Sequence, residues 1–402
     1  RIAEANGAEV KRVCYQGDVG LHVAKAIYGL QQGQSLFESY VFGNKAYESD
    51  EVVKQEIIEL NRKIYNRSDE AVNKFYDNGK KESLEYFEAI YQKLGTKFDF
   101  NFFESEAGEY GKQTVEENMS VFEKSAGAVV YKGEQDGLHT RVFINSEGLP
   151  TYETKELGLA KIKYDKYPYD YSIVVTGNEI VEYFKVLLLA MSKIFPELAK
   201  KTRHVPHGML RLPSGKMSSR TGDVITAESL INEVKEKIKD KVKDNNLTDE
   251  AITQIAVGAI KYSILKQNSS RDIIFDFDKS ISFEGSSGPY LQYTFARIQS
   301  VLDKAREEKI KAGVSKAGTP GAVEKLLTCF PEVVYRAGEE MAPHHVTTYI
   351  TELASAFNAY YANNKIVSEE DNSSYRVALA AAVGQVIKNG LHLLGIATPA
   401  KM

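Results

Sequence analysis

The chain has 402 residues, 43% of them hydrophobic and 26% charged, the composition of a soluble globular protein of two or three domains. Its net charge of -4 excludes a globally basic nucleic-acid binder but leaves room for a local basic face. No window approaches the roughly 20 apolar residues of a membrane span, and two distant cysteines, Cys14 and Cys329, exclude a cysteine metal cluster and suit a reduced, cytoplasmic chain.

In chain order, a helix end gives way at Gly7 to a short strand over Glu9 to Tyr15, followed by a loop, Gln16-Gly-Asp-Val-Gly20. A loop at a strand's carboxyl end is where α/β sheets bind ligands. Residues from about 21 to 95 carry apolar positions at helical spacing, as in Val53, Ile57, Ile58 and Leu60, and predict a helical insertion into the sheet. Phe98 to Phe103 alternates aromatic and polar residues and predicts a strand ending on Glu104. Val129 to Tyr131 and Arg141 to Ile144 form a small antiparallel excursion. Tyr171 to Thr176, then Gly177 and a helix from about Glu179, predict a parallel βα unit.

From about residue 227 onward the sequence is almost all helix formers. Ala227 to Val242 is amphipathic, with Leu230, Val234 and Ile238 on one face; its Lys235-Glu-Lys237 run fits a solvated face. A loop is expected over Ala312 to Gly321, with helices over Val346 to Tyr361 and Arg376 to Leu394. The fold expected is therefore α/β followed by all-α, divided into 1–226 with a helical insertion at about 36–96, a helical junction at 227–285, and a helical bundle at 286–402. His344-His345 is not a metal site, since neighbours on a helix point to different faces and no third ligand lies nearby.

The chemistry concentrates in the segment from His204 to Asp223. Gly215 and Gly222 bracket Lys216-Met217-Ser218-Ser219-Arg220, two hydroxyls and two cations in a loop able to wrap a polyphosphate. On composition alone, a solvated Ser/Gly turn explains it equally well. The string, however, resembles the Lys-Met-Ser-Lys-Ser signature of class I aminoacyl-tRNA synthetases, with Ser219 where the second lysine stands. Its flanks, His204 to Met209 before it and Arg-Thr-Gly-Asp-Val after it, resemble the arginyl-tRNA synthetases.

That resemblance runs along nearly the whole chain and implies a Rossmann-like catalytic domain followed by an anticodon-binding helical bundle. Lys216, Ser218, Ser219 and Arg220 would act on the leaving pyrophosphate, and His204, Gly208, Met209 and Lys216 would bind ATP. Tyr15 to His22 resembles the segment after the family's first helix. Glu104 is implied as an acidic contact to arginine. Thr151-Tyr-Glu-Thr-Lys-Glu156 is similar to the family's Tyr-x-Thr-Arg-Asp element, so Tyr152 and Glu156, one methylene longer than Asp, would hold the guanidinium. Glu179, at the strand end beside Gly177, would flank the amino acid. Taken singly, each acid would be read as a surface charge and Tyr152 as a packed aromatic. A guanidinium is planar with five donors, which two carboxylates and a phenol can tell from an ammonium.

Phe283 to Tyr293 with Arg297, then Leu353 to Tyr361 and Gly390 to Met402, resemble the family's junction and anticodon bundle; Phe295 stands where a His is usual. Tyr290, Gln292, Arg297, Asn358, Tyr361 and the terminal Met402 are implied as tRNA contacts, with base stacking as the role of Tyr361. The implied activity joins L-arginine to its tRNA through an arginyl-adenylate, with ATP and Mg²⁺ as substrate, no zinc, and a monomeric, membrane-free protein. The family's His-x-Gly-His signature is absent from the 402 residues, and the expectation is an N-terminally truncated chain, impaired alone. Two other readings stand beside this one: a tRNA-binding protein without catalysis, and a class I synthetase for another amino acid.

Overall fold

A computed structural model describes residues 1–211, 226–242, 247–314, 319–370, 372–399 and 402. Lys216, Ser218, Ser219 and Arg220 lie outside the described residues.

The chain opens with a single turn, α1 (Ile2–Ala5), and strand β1 (Val13–Gln16). Four helices follow: α2 (Leu21–Gln31), α3 (Leu36–Ser49), α4 (Glu51–Asn66) and α5 (Glu70–Lys93). Strand β2 (Phe100–Phe103) then returns beside β1, parallel, with Val13 opposite Phe100 and Gln16 opposite Phe103. The helical excursion predicted from apolar spacing is thus the crossover of a parallel strand pair. Asp50 and Asp69 start α4 and α5 by accepting from the first backbone N–H groups. The inward faces of α2, α4 and α5 share one core around Ile27, Ile57, Leu60, Ile64 and Val72.

After β2 come α6 (Glu104–Glu117), the antiparallel strands β3 (Glu123–Ser125), β4 (Ala128–Tyr131) and β5 (Arg141–Ile144), and helix α7 (Tyr152–Lys166). Helices α6 and α7 cross at glycines. A Cβ on Gly111 would lie 1.9 Å from the Thr154 carbonyl, and one on Gly158 would lie 2.1 Å from that of Ala107. Only glycine permits that approach.

Strand β6 (Ser172–Gly177), helices α8 (Val181–Ile194) and α9 (Pro196–Lys201), and strand β7 (Thr202–His207) form the second parallel pair, with Val174 opposite His204. Helix α8 buries Phe184, Val186, Leu187 and Met191 on a core shared with Leu157 and Phe143. The apolar run Val186 to Met191 is therefore core, and among the described residues no helix is long and apolar enough to cross a membrane. Strand β7 was not expected from the sequence. Pro206 and the polar Thr202, Arg203 and His204 hide its alternation.

Strand β8 (Leu210–Arg211) pairs in parallel with the later β9 (Ile273–Ile274), tying the strand-bearing half to the helical half. Between them lie α10 (Ala227–Lys241), with the predicted Leu230, Val234 and Ile238 buried, and α11 (Asp249–Leu265). Next come α12 (Phe277–Ser280), α13 (Gly288–Glu307), α14 (Ala322–Thr328), α15 (Phe330–Glu339), α16 (His344–Asn363) and α17 (Ser373–Leu393). The helices from α13 onward share a core centred on Leu291, Ile298, Ile350, Leu353, Phe357, Val383 and Ile387.

Candidate functional site

The carboxyl ends of the β1–β2 and β6–β7 pairs carry several of the residues expected to meet small substrates, where open α/β sheets bind ligands. At the end of β1, Asp18 turns back and accepts from the Ser105 N–H at 2.9 Å and from its hydroxyl at 2.8 Å. Helix α6, whose own N-cap Phe103 supplies no side-chain acceptor, is thereby capped from the neighbouring loop. The cap sets Glu104, the first residue of α6, at the mouth of the loop: a Cβ on Gly17 would come within 3.4 Å of Glu104 Oε1. Tyr76 and Lys80 also bond Asp18, at 2.9 and 2.7 Å. Burial works against the charge on Asp18, yet these donors hold its carboxyl below the usual range.

Helix α7 supplies the other side. Thr151 and Thr154 donate to the Phe143 carbonyl at 2.9 and 2.5 Å, pinning the first turn of α7 to β5. Tyr152 and Glu156 then sit one turn apart on one face, with Tyr152 60% exposed. Burial pushes the Glu156 carboxyl up to about 7, with Lys163 opposing that rise and Glu104 adding to it. Burial likewise depresses Lys163, whose ammonium donates to Ser172 at 2.9 Å. The hydroxyl of Tyr15 is shielded and has no hydrogen-bond partner among the described residues. Burial, then Glu156, Glu104 and Asp18, raise its pKa. Tyr183, raised by burial and the same glutamates, stands nearby. Glu104, Glu156 and the unsatisfied Tyr15 hydroxyl thus lie near enough for their charges to bear on one another, with the exposed Tyr152 phenol one turn before Glu156 on α7; carboxylates and phenols can accept from a planar cation with several donors.

At the second strand pair, Gly177, Glu179 and Met209 converge: a Cβ on Gly177 would lie 3.7 Å from both Glu179 Cγ and Met209 Sδ. Glu179 is exposed, in a short 3-10 turn (Asn178–Ile180) that leads into α8. His204 points from mid-β7 onto α8, 2.7 Å from Thr176 Oγ1 and stacked on Phe184 at 4.1 Å and 11°. Burial lowers its pKa, so the ring favours the neutral form. Gly208 packs against the chain before β9, where a Cβ would meet the Arg271 carbonyl at 2.0 Å, and its N–H donates to Ser269 at 2.7 Å. Its glycine identity answers to that contact. Met209 N–H donates to Asp272 at 2.9 Å, and Asp272 also pairs with Arg211 at 2.6 Å.

The residues expected to meet tRNA divide. Arg297, on α13, bonds Asn358, on α16, at 2.8 Å; Asn358 in turn donates to Tyr290 and Thr294 at 2.9 and 3.0 Å. The Arg297 guanidinium lies 4.8 Å from the Tyr293 ring and 5.6 Å from that of Tyr361. Gln292 is fully buried, and its amide donates to the carbonyls of Gln254 and Ala397. Met402 packs with the α10 and α11 core instead. Position within a family string says nothing of which side of a helix faces outward: Gln292 is internal, and Met402 is partly buried.

A family model described as the catalytic domain of class I (R) tRNA synthetases matches residues 1–277, and one described as the DALR anticodon-binding domain matches 291–402. The arginine–tRNA ligase of Bacteroides thetaiotaomicron is 31% identical over 450 residues, covering all of this chain and 75% of its own length. The chain belongs to the class I arginyl-tRNA synthetase family. The enzyme of the same name from Clostridium perfringens is 30% identical, again over all of this chain and 75% of its own. Among solved structures, the arginyl-tRNA synthetases of Thermus thermophilus and Plasmodium falciparum match all of this chain, with TM-scores of 0.73 and 0.78. They are 22% and 21% identical and are covered over 77% and 71% of their chains, a likeness of fold.

Within this arginyl-tRNA synthetase chain, sequence reasoning missed Tyr15, Lys155 and Lys163. The i, i+3, i+4 spacing of Tyr152, Lys155 and Glu156 on one helix was the available signal. Tyr15 opens a stretch similar to the family's, but a strand-end tyrosine taken singly reads as core.

Proposed function

We propose that this chain attaches L-arginine to its cognate tRNA, consuming ATP-Mg²⁺ and passing through an arginyl-adenylate, as a cytoplasmic monomer. The observation that carries the reading is the gathering of Tyr15, Glu104 and Glu156, whose charges bear on one another, with Tyr152 one turn before Glu156 on α7, in a chain of the arginyl-tRNA synthetase family. Arginine's guanidinium would sit against Glu156 with the Tyr152 phenol at its edge. Two acceptor oxygens matched to two N–H donors give direction as well as charge. The Tyr15 hydroxyl, without a hydrogen-bond partner among the described residues, would gain one from the substrate.

The strand ends at Gly177, Glu179 and Met209 would receive the amino-acid backbone and the nucleotide. Met209 stands seven residues before Lys216, in the stretch that also bears Ser218, Ser219 and Arg220, to which we assign the phosphates. Catalysis would come from holding carboxylate and α-phosphate in line and stabilising charge on the leaving pyrophosphate, with no covalent nucleophile. Tyr290, Arg297, Asn358 and Tyr361 would receive the anticodon stem-loop.

Calorimetric titration of arginine into the chain tests the site. Binding that Glu156→Gln abolishes supports it; equal affinity in that variant would overturn it. The match over residues 1–277 does not favour a tRNA-binding protein without a catalytic domain.

A further inference from the structure

Asp18 is only 8% exposed, yet its carboxylate accepts from three other residues. The Ser105 N–H donates to Oδ1 at 2.9 Å. The Ser105 hydroxyl, the Tyr76 phenol and the Lys80 ammonium donate to Oδ2 at 2.8, 2.9 and 2.7 Å. Capping a helix start needs one acceptor, and Oδ1 supplies it for α6. The other oxygen serves a different element: Tyr76 and Lys80 stand one turn apart on α5, in the helical insertion, 58 and 62 positions beyond Asp18. The Lys80 ammonium also lies 3.7 Å from the centre of the Phe103 ring, the residue immediately before Glu104. The insertion thus grips both the loop after β1 and the start of α6.

What this grip holds is Glu104. Its Oε2 accepts from Lys155 at 2.6 Å, with the two side chains 10% and 6% exposed, and its Oε1 faces Gly17. Gly17 adjoins Asp18 in the chain and Glu104 adjoins Ser105, so one carboxylate fixes both sides of that approach. An acceptor favours a substrate cation most when it is held in place beforehand. Lys80 is needed for the hold, because a buried carboxylate without a paired charge is costly. Burial works against the charge of Asp18, and Lys80, Ser105 and Tyr76 overcome it. We propose that Asp18 and Lys80 are positioning residues for arginine: Asp18 locks the loop at Gly17 to the first turn of α6, which aims Glu104 at the substrate, and Lys80 lets the insertion keep Asp18 there. Both act through Glu104, and the inference rests on the reading of this chain as an arginine-binding enzyme.

The test is calorimetric titration of arginine into the unsubstituted chain, Asp18→Asn, Lys80→Met, Lys80→Arg, Glu104→Gln, Glu156→Gln and the double variant Asp18→Asn/Glu104→Gln. Asparagine keeps the size of Asp18 and an oxygen for the Ser105 N–H, but loses the charge that Lys80 meets. Arginine affinity should fall about tenfold in Asp18→Asn and in Lys80→Met, and Lys80→Arg should recover most of it. The double variant should bind arginine no more weakly than Glu104→Gln alone, because both changes remove the same contact. A cap with a purely structural role would instead weaken binding by the same factor on either background. Where circular dichroism shows Asp18→Asn unfolded, Lys80→Met and Lys80→Met/Glu104→Gln take its place with the same expectation. Unchanged affinity in the folded Asp18 or Lys80 variants, or a loss that recurs in full beside Glu104→Gln, would overturn the positioning role. With arginine binding still lost in Glu156→Gln, either result would leave the arginine site standing. Arginine binding that survives Glu156→Gln would overturn the site itself.

Discussion

Arg297 and Asn358 hold one another across α13 and α16 at 2.8 Å, and Asn358 is bonded on its other side to Tyr290 and Thr294. The amide thereby fixes a guanidinium beside two tyrosine rings at little further entropic cost. Asn358→Ala should release Arg297 and weaken binding of arginine tRNA. Tyr361→Ala should cost about 1–3 kcal/mol if its ring stacks on a base. Filter binding at two salt concentrations separates the two effects: displacing the Arg297 charge alters the salt dependence, whereas loss of the ring does not.

Glu156 makes arginine binding depend on pH. With burial raising its carboxyl to about 7, a growing fraction is protonated below that pH and cannot pair with a guanidinium. Arginine affinity should fall about tenfold per pH unit below 7 and level off above it. The same group affects stability in a definite direction. Its folded pKa exceeds the ordinary 4.5, so the folded chain binds more protons between the two values, and stability falls as pH rises from about 4.5 to about 7. Glu156→Gln should remove both trends, in titrations of arginine and in melting temperatures across pH 5 to 8.

Lys261 joins two helix ends. Its ammonium donates to the Leu94 carbonyl at 2.5 Å, just past α5, and to that of Gly395 at 2.6 Å, just past α17. Burial, with Arg1 adding repulsion, lowers its pKa to about 8. Between about 8 and the ordinary 10.5 the unfolded chain binds more protons, so this group's contribution to stability rises with pH over that window. The neutral amine keeps two N–H donors for the two carbonyls. Lys261→Met should destabilise by about 1–3 kcal/mol for each acceptor left unpaired and flatten that rise, measured by thermal unfolding at pH 7.5 and 9.5.

Gly158→Ala should separate α6 from α7, because its added methyl would lie 2.1 Å from the Ala107 carbonyl. We expect a loss of at least about 1–3 kcal/mol. The shift would also move Glu104, on α6, away from Glu156, on α7, so arginine affinity should fall even where the variant folds. Retention of full affinity in a folded Gly158→Ala would show that the pair tolerates a wider crossing.

Much of this was legible in the residues. Leu230, Val234 and Ile238 declared the buried face of α10 because nothing but helical period was needed. The strands at Val13 and Phe100 declared themselves by alternation. Their pairing did not, since register depends on contacts far apart in the chain. The acids at Glu104 and Glu156 were legible through family strings, but Glu104's engagement with Lys155 was not, because a string orders residues without saying which of them touch. Gln292 shows the same limit. It lies two residues past Tyr290, which was expected to meet tRNA, and the packing of α13 on α11 turns it inward.

Arg12 and Asp99 bond across the first strand pair although 87 positions separate them, and nearly all of what lies between is the helical excursion from α2 to α5. The equilibrium cost of closing so long a loop grows only slowly with its length, about 0.6 kcal/mol for each doubling. Folding rate is more sensitive to such distant pairings. Gly17 and Glu104 can meet only after those helices have collapsed and brought β2 home, so the substrate pocket should be among the last parts of this half to assemble. A refolding chain would regain its helical signal well before it regained arginine binding.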